Sequence, residues 1–404
     1  MGVNTSKADT KTFCNIAIIG AGASGCICAY LLQKEGIDVT LFDKGMPLRT
    51  LLPTGGGRCN LAHAEYDFKE LAKNYPRGEK FLYSVFSKFS TYDTLALFNE
   101  FGVETYTQED ERIFPTSNSA KNVREKILAK LKNCNFAKEK VLEIKKLDRG
   151  FKIVTLKAEN NKKGSEYLFS HVIIAIGGHS AFGFLKDFDI KIVPPKPSLV
   201  GLNTEENTQK ISGIVVKGAN CNDFTEDLLF THFGISGPLA YKISSIKARE
   251  QFPYKLNIDL FPQEIDLQKL LNSNSHKDVK NILSKFIPLG LIKFLIGEIA
   301  ETKAHKIDGK TRDLILSKIH NLELTITGTN KGEETVTAGG IDLSEINAKT
   351  MELKKYSNLY CIGEALDIDG FCGGYNLQNA WSTAFIAKEG ILERLKNEIN
   401  WSWK

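Results

Sequence analysis

Four consecutive apolar residues, Ile16 to Ile19, lead directly into Gly20, Gly22 and Gly25. A short, wholly apolar run of this kind predicts a strand buried on both faces. Cys26 to Glu35 then carries a helical pattern that stops at Gly36, and Ile37 to Phe42 predicts a second strand ending at Asp43. Residues 61–140 read mostly as helix, including Glu79–Phe101 and Ala120–Lys132, with Leu82, Val85, Phe86, Phe89, Leu95, Leu97 and Phe98 on the buried side. From Val141 the period shortens to that of strands. Three are expected, Val141–Leu147, Phe151–Leu156 and Tyr167–Ile176, the last two joined by the polar Glu159–Ser165 turn. Strand-like runs return at Ile211–Val216, Lys255–Leu260 and Leu322–Thr327, on either side of a lysine-rich helical stretch, 263–320. The chain closes with a strand that runs into Gly363 and Glu364, and a helix from Asn379.

This order reads as an α/β nucleotide-binding domain interrupted by a β-rich insertion that itself carries helices. The first part covers 13–196, up to the Pro194-Pro-Lys-Pro197 breaker, and the β-rich domain begins at 197–262. A helical subdomain follows at 263–320, return strands at 321–338, and the end of the nucleotide domain at 339–404.

Composition narrows the classes. The 404 residues include 53 basic and 48 acidic side chains, mixed along the chain for a net charge of +5. That even mixture argues for a solvated surface, so no nucleic-acid partner is expected. The lysines of 263–320 lack the interleaved aromatics of a single-strand binding face. The longest apolar candidate for a membrane span, Phe286 to Ala300, is broken by Pro288, Lys293 and Glu298. A polar start without a secretory leader, and eight cysteines without framework spacing, predict a cytoplasmic protein with reduced thiols. Gly2 and Ser6 fit the short myristoylation pattern, but no polybasic cluster accompanies them.

Candidate chemistry gathers at glycines. Between a strand and a helix, Gly20 permits a tight turn, Gly22 lets the backbone approach a diphosphate, and Gly25 lets helix and strand pack closely. The helix that follows, from Cys26, has an N-terminus that attracts phosphate, and Asp43 stands where such folds bind ribose hydroxyls. Leu51-Leu-Pro-Thr-Gly-Gly-Gly-Arg-Cys-Asn60 implies close approach to something bulky, and Ala175-Ile-Gly-Gly178 offers a second such approach. Phe371-Cys-Gly-Gly-Tyr-Asn-Leu-Gln378 is a third, again entering a helix. Two cofactor-facing helix entries at opposite ends of the chain fit a long dinucleotide, FAD, better than NAD. In the loop-like Phe230-Thr-His-Phe-Gly-Ile-Ser-Gly-Pro238, His232 is a candidate acid–base group.

GAGASG at 20–25, GGGRCN at 55–60, THFGISGP at 231–238 and GEALDIDGFCGGYNLQNAW at 363–381 resemble the YhiN/BaiN-like FAD-dependent oxidoreductases. That family includes aminoacetone oxidase-type members and a proposed bile-acid enoyl reductase. The resemblance, from about 15 to 390, implies a glutathione-reductase-like FAD domain with an inserted β-barrel-like domain and a helical subdomain. It implies that Gly20, Gly22, Ala23, Ser24, Gly25, Asp43 and Lys44 line FAD, with Gly57, Arg58, Cys59 and Asn60. Val141, Ala175, Gly177, Gly363, Glu364, Gly374, Tyr375, Asn376, Leu377 and Gln378 complete the implied set. His179-Ser-Ala-Phe-Gly-Phe184 departs from the family's longer Ser/Pro/Gly-rich segment.

The expected activity is hydride passage through flavin N5, from NAD(P)H or a small organic substrate to an unsaturated acceptor or dioxygen. No second glycine fingerprint follows a strand, which favours either transient NAD(P)H binding or an oxidase-type cycle. His232 and Tyr375 are the candidate acid–base residues. Cys59 has no CxxC partner and Cys26/Cys28 form a CxC inside a helix, so a disulfide-reductase chemistry is not expected. The rivals are a flavin-dependent RNA-modifying protein and a flavin-binding sensor without turnover.

Overall fold

The computed structural model describes residues 15–158, 163–178, 181–330, 332 and 336–401. The acylation pattern at Gly2 and Ser6, positions 159–162 of the expected turn, and His179-Ser180 lie outside the described residues. The chain forms two compact units, one of Met1–Pro195 with Gly339–Lys404 and one of Lys196–Ala338.

The first unit is built on six strands: β1 (Asn15–Ile19), β2 (Asp38–Phe42), β6 (Asn135–Ala137), β10 (His171–Ile174), β19 (Glu352–Leu353) and β20 (Tyr356–Cys361). They run in the order β19-β20-β10-β1-β2-β6, parallel except for the edge strand β19. Ile16 to Ile18 and Val172 to Ile174 are wholly buried, as both-face coverage of a parallel sheet requires. Helix α1 (Ala23–Lys34) and the last helix, α11 (Tyr375–Trp401), pack against each other. Between β2 and β6 lie α2 (Phe68–Lys73), α3 (Glu79–Phe86), α4 (Thr91–Glu100) and α5 (Ala120–Lys130). The same segment holds a small sheet of β3 (Ala62–His63), β4 (Thr105–Thr107) and β5 (Arg112–Pro115). An antiparallel meander follows, β7 (Glu139–Lys146), β8 (Phe151–Lys157) and β9 (Lys163–Phe169).

The second unit is a barrel. Strands β12 (Leu202–Thr204), β13 (Val215–Cys221), β14 (Phe224–Thr231), β15 (Gly234–Ser236), β16 (Tyr254–Ile258) and β17 (Leu322–Thr329) form one antiparallel sheet ordered β13-β14-β15-β12-β17-β16. Its two ends meet: the N–H groups of Asn220 and Asp259 each donate to the other's carbonyl at 2.8 Å. That bridge joins the two ends of the order and pairs strand groups that would otherwise stand at an edge. Helix α6 (Gly237–Ile246) packs on β14, and α7 (Leu267–Ser273), α8 (Val279–Leu283), α9 (Leu289–Ile296) and α10 (Gly309–His320) share the barrel's apolar core. Strands β11 (Ile192–Ser198) and β18 (Val336–Ile341) pair where the chain leaves and re-enters the first unit.

Several elements differ from the sequence reading. Glu79–Phe101 is two helices, because Ser90 and Asp93 form a reciprocal capping box that starts α4 afresh. Tyr167–Ile176 is two strands in different sheets, split at Ser170, whose N–H and hydroxyl are both held by Asn15. Ile211–Val216 is not one strand: a short 3-10 turn ends at Ile211, and Gly213, at φ +88°, precedes β13. Phe230–Pro238 is a hairpin and a helix start rather than a loop. The final helix starts at Tyr375, four residues before Asn379, because Gly373 and Gly374 sit at φ +134° and +97° and end the helical path there.

Candidate functional site

The site begins where β1 ends. The chain passes from β1 to β2 on one side and later to β10 on the other, so the carboxyl end of β1 is a topological switch point, the place where open α/β sheets hold ligands. The glycines there do different jobs. At Gly20 (φ +109°) a Cβ would stand 2.2 Å from the Ala175 carbonyl oxygen, and at Gly25 it would stand 2.0 Å from that of Gly20. Those two glycines serve packing. At Gly22 nothing but Thr50 Oγ1, at 3.9 Å, comes within 4 Å of that position, so the room beside it is open. Gly22 is the N-cap of α1, no side chain caps that helix, and the first turn (Ala23, Ser24, Gly25) presents unpaired N–H groups and a positive dipole end. Asp43 braces the same turn: its oxygens accept from Ala21 N at 2.9 Å and Gly45 N at 2.7 Å. Lys44 beside it is exposed.

Two neighbouring strand ends complete the rim. After β10, Ala175 N donates to Ile19 O, and Gly177 (φ +72°) again faces open space. After β20, Gly363 packs so close to Ser24 that a Cβ would lie 2.6 Å from its hydroxyl. The Glu364 carboxyl is enclosed, accepts from the Gly178 N–H, and among the described residues leaves Oε1 without a partner. Burial, and then the negative charge of Asp369, push its pKa up to about 7. Asp369 is itself wholly buried and held by Arg77 through Nε and Nη2. On α11, which packs on this turn, Thr383 accepts from Gly363 N at 2.9 Å and donates to the Asn379 carbonyl at 2.6 Å. The Asn379 side chain is wholly buried, and neither end of its amide has a partner among the described residues. Leaving such groups unsatisfied is expensive, and Glu364 and Asn379 are two such groups that sit together beside this turn.

The loop 54–60 and the approach 370–378 behave otherwise. Gly56 and Gly57 face open space, and the Arg58 guanidinium lies 4.0 Å over the Phe114 ring with Nε on Gly55 O. Cys59, at φ +67°, is buried, which pushes its thiol up to about 12 and leaves it inert. Asn60, oriented to satisfy its amide, donates to Ile113 O and Ala62 O and accepts from Gly374 N. Asn376 exchanges two hydrogen bonds with the Gly370 backbone, at 2.9 and 2.8 Å. Gln378 is wholly buried, accepting from Thr94 and donating to Ser382, each at 2.9 Å. The side chains of Asn60, Asn376 and Gln378, expected to line a cofactor, are therefore committed to bracing the loop. The backbone N–H groups of Tyr375, Asn376 and Leu377 are the first-turn donors of α11.

Two other expected residues belong to different elements. Val141 is buried in β7, opposite Thr155. His232 is exposed at the β14–β15 turn of the second unit. Among the described residues no group of three or more His, Cys, Asp or Glu is placed to hold a metal ion, and no helix is long and apolar enough to cross a membrane. Sequence reasoning missed Asn379. The signal for Asn379 was available: with Thr383 it places polar groups one turn apart on an otherwise apolar helix face.

Residues 14–390 match the family described as HI0933-like protein Rossmann domain. A ribosomal RNA dihydrouridine synthase of Escherichia coli K12 is 31% identical over 404 residues, covering 93% of this chain and 97% of that one. A 3-dehydro-bile acid delta(4,6)-reductase of Clostridium scindens is 27% identical over 416 residues, covering 94% and 99%. Among solved structures, an open flavocytochrome c3 fumarate reductase superposes with a TM-score of 0.50 at 13% identity, covering 93% of this chain and 78% of that one. The chain belongs to the HI0933-like family, a family of flavin-dependent oxidoreductases with a Rossmann-type FAD-binding α/β fold.

Proposed function

We propose that this chain holds FAD at the switch point of its first unit and reduces a carbon–carbon double bond conjugated to a carbonyl, with the uracil ring of an RNA uridine as the first substrate to test. The observation that carries the reading is that two relatives matching over nine-tenths of the chain are named for one transformation on different molecules. Making dihydrouridine saturates the double bond beside a uracil carbonyl, and a steroid enone reductase saturates the same kind of bond. The higher identity to the RNA enzyme, 31% against 27%, puts uridine first. This sets aside the expectation of no nucleic-acid partner. An enzyme that takes one base out of a strand needs a pocket rather than a wide basic face.

When bound, FAD supplies the two-electron hydride chemistry. The residues divide the work of holding it. The N–H groups of Ala23, Ser24 and Gly25 take the diphosphate, and the free lone pairs of Asp43 take the adenosine ribose. Glu364 Oε1 and the Asn379 amide meet the ribityl hydroxyls, which would satisfy both orphaned groups. The first turn of α11 stabilises negative charge on the reduced ring system, worth about 0.3–2 kcal/mol. NAD(P)H is the proposed donor, binding transiently.

The test is an anaerobic titration of the flavin-loaded protein with NADPH and NADH, followed by addition of ribosomal RNA from cells lacking this protein. Bleaching by a nicotinamide, reoxidation by the RNA and a two-hydrogen mass gain at uridine are expected. A protein that cannot be loaded with FAD, or a reduced flavin reoxidised by dioxygen alone with peroxide release, overturns the reading.

A further inference from the structure

Saturating a conjugated double bond takes a hydride at one carbon and a proton at the other. The proton has to come from the protein, and one cluster beside the α11 entry is built to give it. Tyr375 opens α11 with its ring packed 4.8 Å from that of His63 and 5.9 Å from that of Tyr75, centroid to centroid. Its carbonyl accepts from the Tyr75 hydroxyl at 2.6 Å, and Gly373 admits the ring: a Cβ there would lie 2.9 Å from Tyr375 Cε2. The ring is thus fixed and only 5% exposed, yet among the described residues its own hydroxyl has no hydrogen-bond partner. A tyrosine so tightly held with a spare hydroxyl is placed to act on something that arrives.

His63 lies between this ring and a carboxylate. Its Nδ1 faces the Gly373 carbonyl at 3.3 Å, so Nδ1 is the donor there, and Nε2 stands 3.4 Å from Glu111 Oε2. Burial first, and then the charges of Glu111 and Glu65, raise the Tyr375 pKa, so the hydroxyl stays protonated. Tyr75, Glu65, Glu111 and His63 are the titratable groups that face it in this cluster.

We infer that Tyr375 donates the proton that completes the reduction, its ring held in place for that by His63 and Tyr75, and that solvent returns the proton. The inference rests on the double-bond reductase reading and names its acid. Bound reduced FAD would supply the hydride that bonds to the β-carbon; the π pair would then take the Tyr375 proton at the α-carbon as the O–H bond breaks. The double bond would be reduced at the expense of the flavin, and the tyrosinate would regain its proton from solvent.

The test compares wild type, Tyr375→Phe, His63→Gln and Cys372→Ser, the last because Cys372 is exposed in the same approach and is the rival donor. Each flavin-loaded protein is reduced photochemically without air and mixed with ribosomal RNA from cells lacking this protein, and separately with 2-cyclohexenone. Tyr375→Phe is expected to keep its flavin content and its photoreduction while reoxidation by both acceptors slows at least about 100-fold. His63→Gln, which loosens the ring but keeps the hydroxyl, is expected to slow reoxidation by no more than about tenfold, less than Tyr375→Phe. Reoxidation of Tyr375→Phe within about twofold of wild type overturns the inference, as does a loss confined to Cys372→Ser. If wild type reduces neither acceptor, the function reading itself fails.

Discussion

Two glycine-rich turns of the first unit feed the chain into helices, and they divide labour between backbone and side chain in opposite ways. At 20–25 the crowded glycines, Gly20 and Gly25, let strand and helix touch, while Gly22 leaves open room in front of bare N–H groups. The motif itself faces the ligand space. At 370–378 the crowded glycine is Gly374, whose Cβ would lie 2.5 Å from the Ala62 carbonyl, and the polar side chains around it point into the protein. There Asn60, Asn376 and Gln378 hold the loop in shape, and the groups left wanting a partner are Glu364 and Asn379, beside the motif rather than in it. Membership of a glycine-rich motif therefore does not by itself separate residues that face open space from residues that brace the loop.

The sharpest way to break this comparison is within the first turn. Gly25→Ala puts a methyl 2.0 Å from a backbone oxygen and is expected to cost more than about 3 kcal/mol, seen as loss of soluble folded protein or a large drop in thermal midpoint. Gly22→Ala meets no protein atom closer than 3.9 Å, so the apo-protein should unfold at the wild-type temperature while FAD affinity falls at least about tenfold. Equal loss of stability in both variants would put Gly22 to structural use.

Glu364 comes next in size. Its carboxyl titrates near 4.5 in an unfolded chain and at about 7 when folded. Between those values the folded protein holds a proton that the unfolded chain has released, so apo-protein stability falls as pH rises through that window. The slope is about 1.4 kcal/mol per pH unit, about 3 kcal/mol in all, and it flattens above the folded value. Denaturant titrations of the apo-protein from pH 4.5 to 8 should show this slope, and Glu364→Gln should remove it. An unchanged slope in the variant would place the titrating group elsewhere.

What could be read in advance follows from how local each cause is. The β1–α1–β2 unit is written in consecutive residues, an apolar run, spaced glycines and an acid, and the sequence analysis placed all of it. The break at Ser90 is also local, a serine followed three residues later by an aspartate, though it went unread. The split at Ser170 is not, since Tyr167–Ile176 reads as one continuous run and only Asn15, 155 residues earlier, divides it. Barrel closure has the same character, for nothing near Asn220 announces that Asp259 will face it. The site divides along the same line. The glycines were legible because backbone geometry demands them. The inward turn of Asn60, Asn376 and Gln378 depends on Ile113, Gly370 and Thr94, partners that only the folded chain supplies.

The second turn can be tested by removing a brace. Gln378→Leu strands the Thr94 hydroxyl in the core and should cost the apo-protein about 1–2 kcal/mol, read from denaturant midpoints. FAD affinity, measured at a temperature where both proteins are folded, should change little. A large loss of affinity without loss of stability would return Gln378 to the cofactor's side.

The smallest effect discriminates most, because it has the opposite sign. Asn379 is buried with neither end of its amide satisfied, so in the apo-protein the group is a liability. Leucine has nearly the same size and no polar atoms, and replacing an unsatisfied buried amide by an apolar group of similar shape is neutral to stabilising, here by about 1 kcal/mol. If Asn379 waits for the ribityl chain, Asn379→Leu should raise the apo-protein's unfolding midpoint and lower FAD affinity about tenfold or more, since the ligand's hydroxyls then meet a methyl group. A residue of purely structural value would lose stability when replaced, and a residue remote from the ligand would leave affinity alone. Only a group built for a ligand gives up binding while the empty protein gains stability.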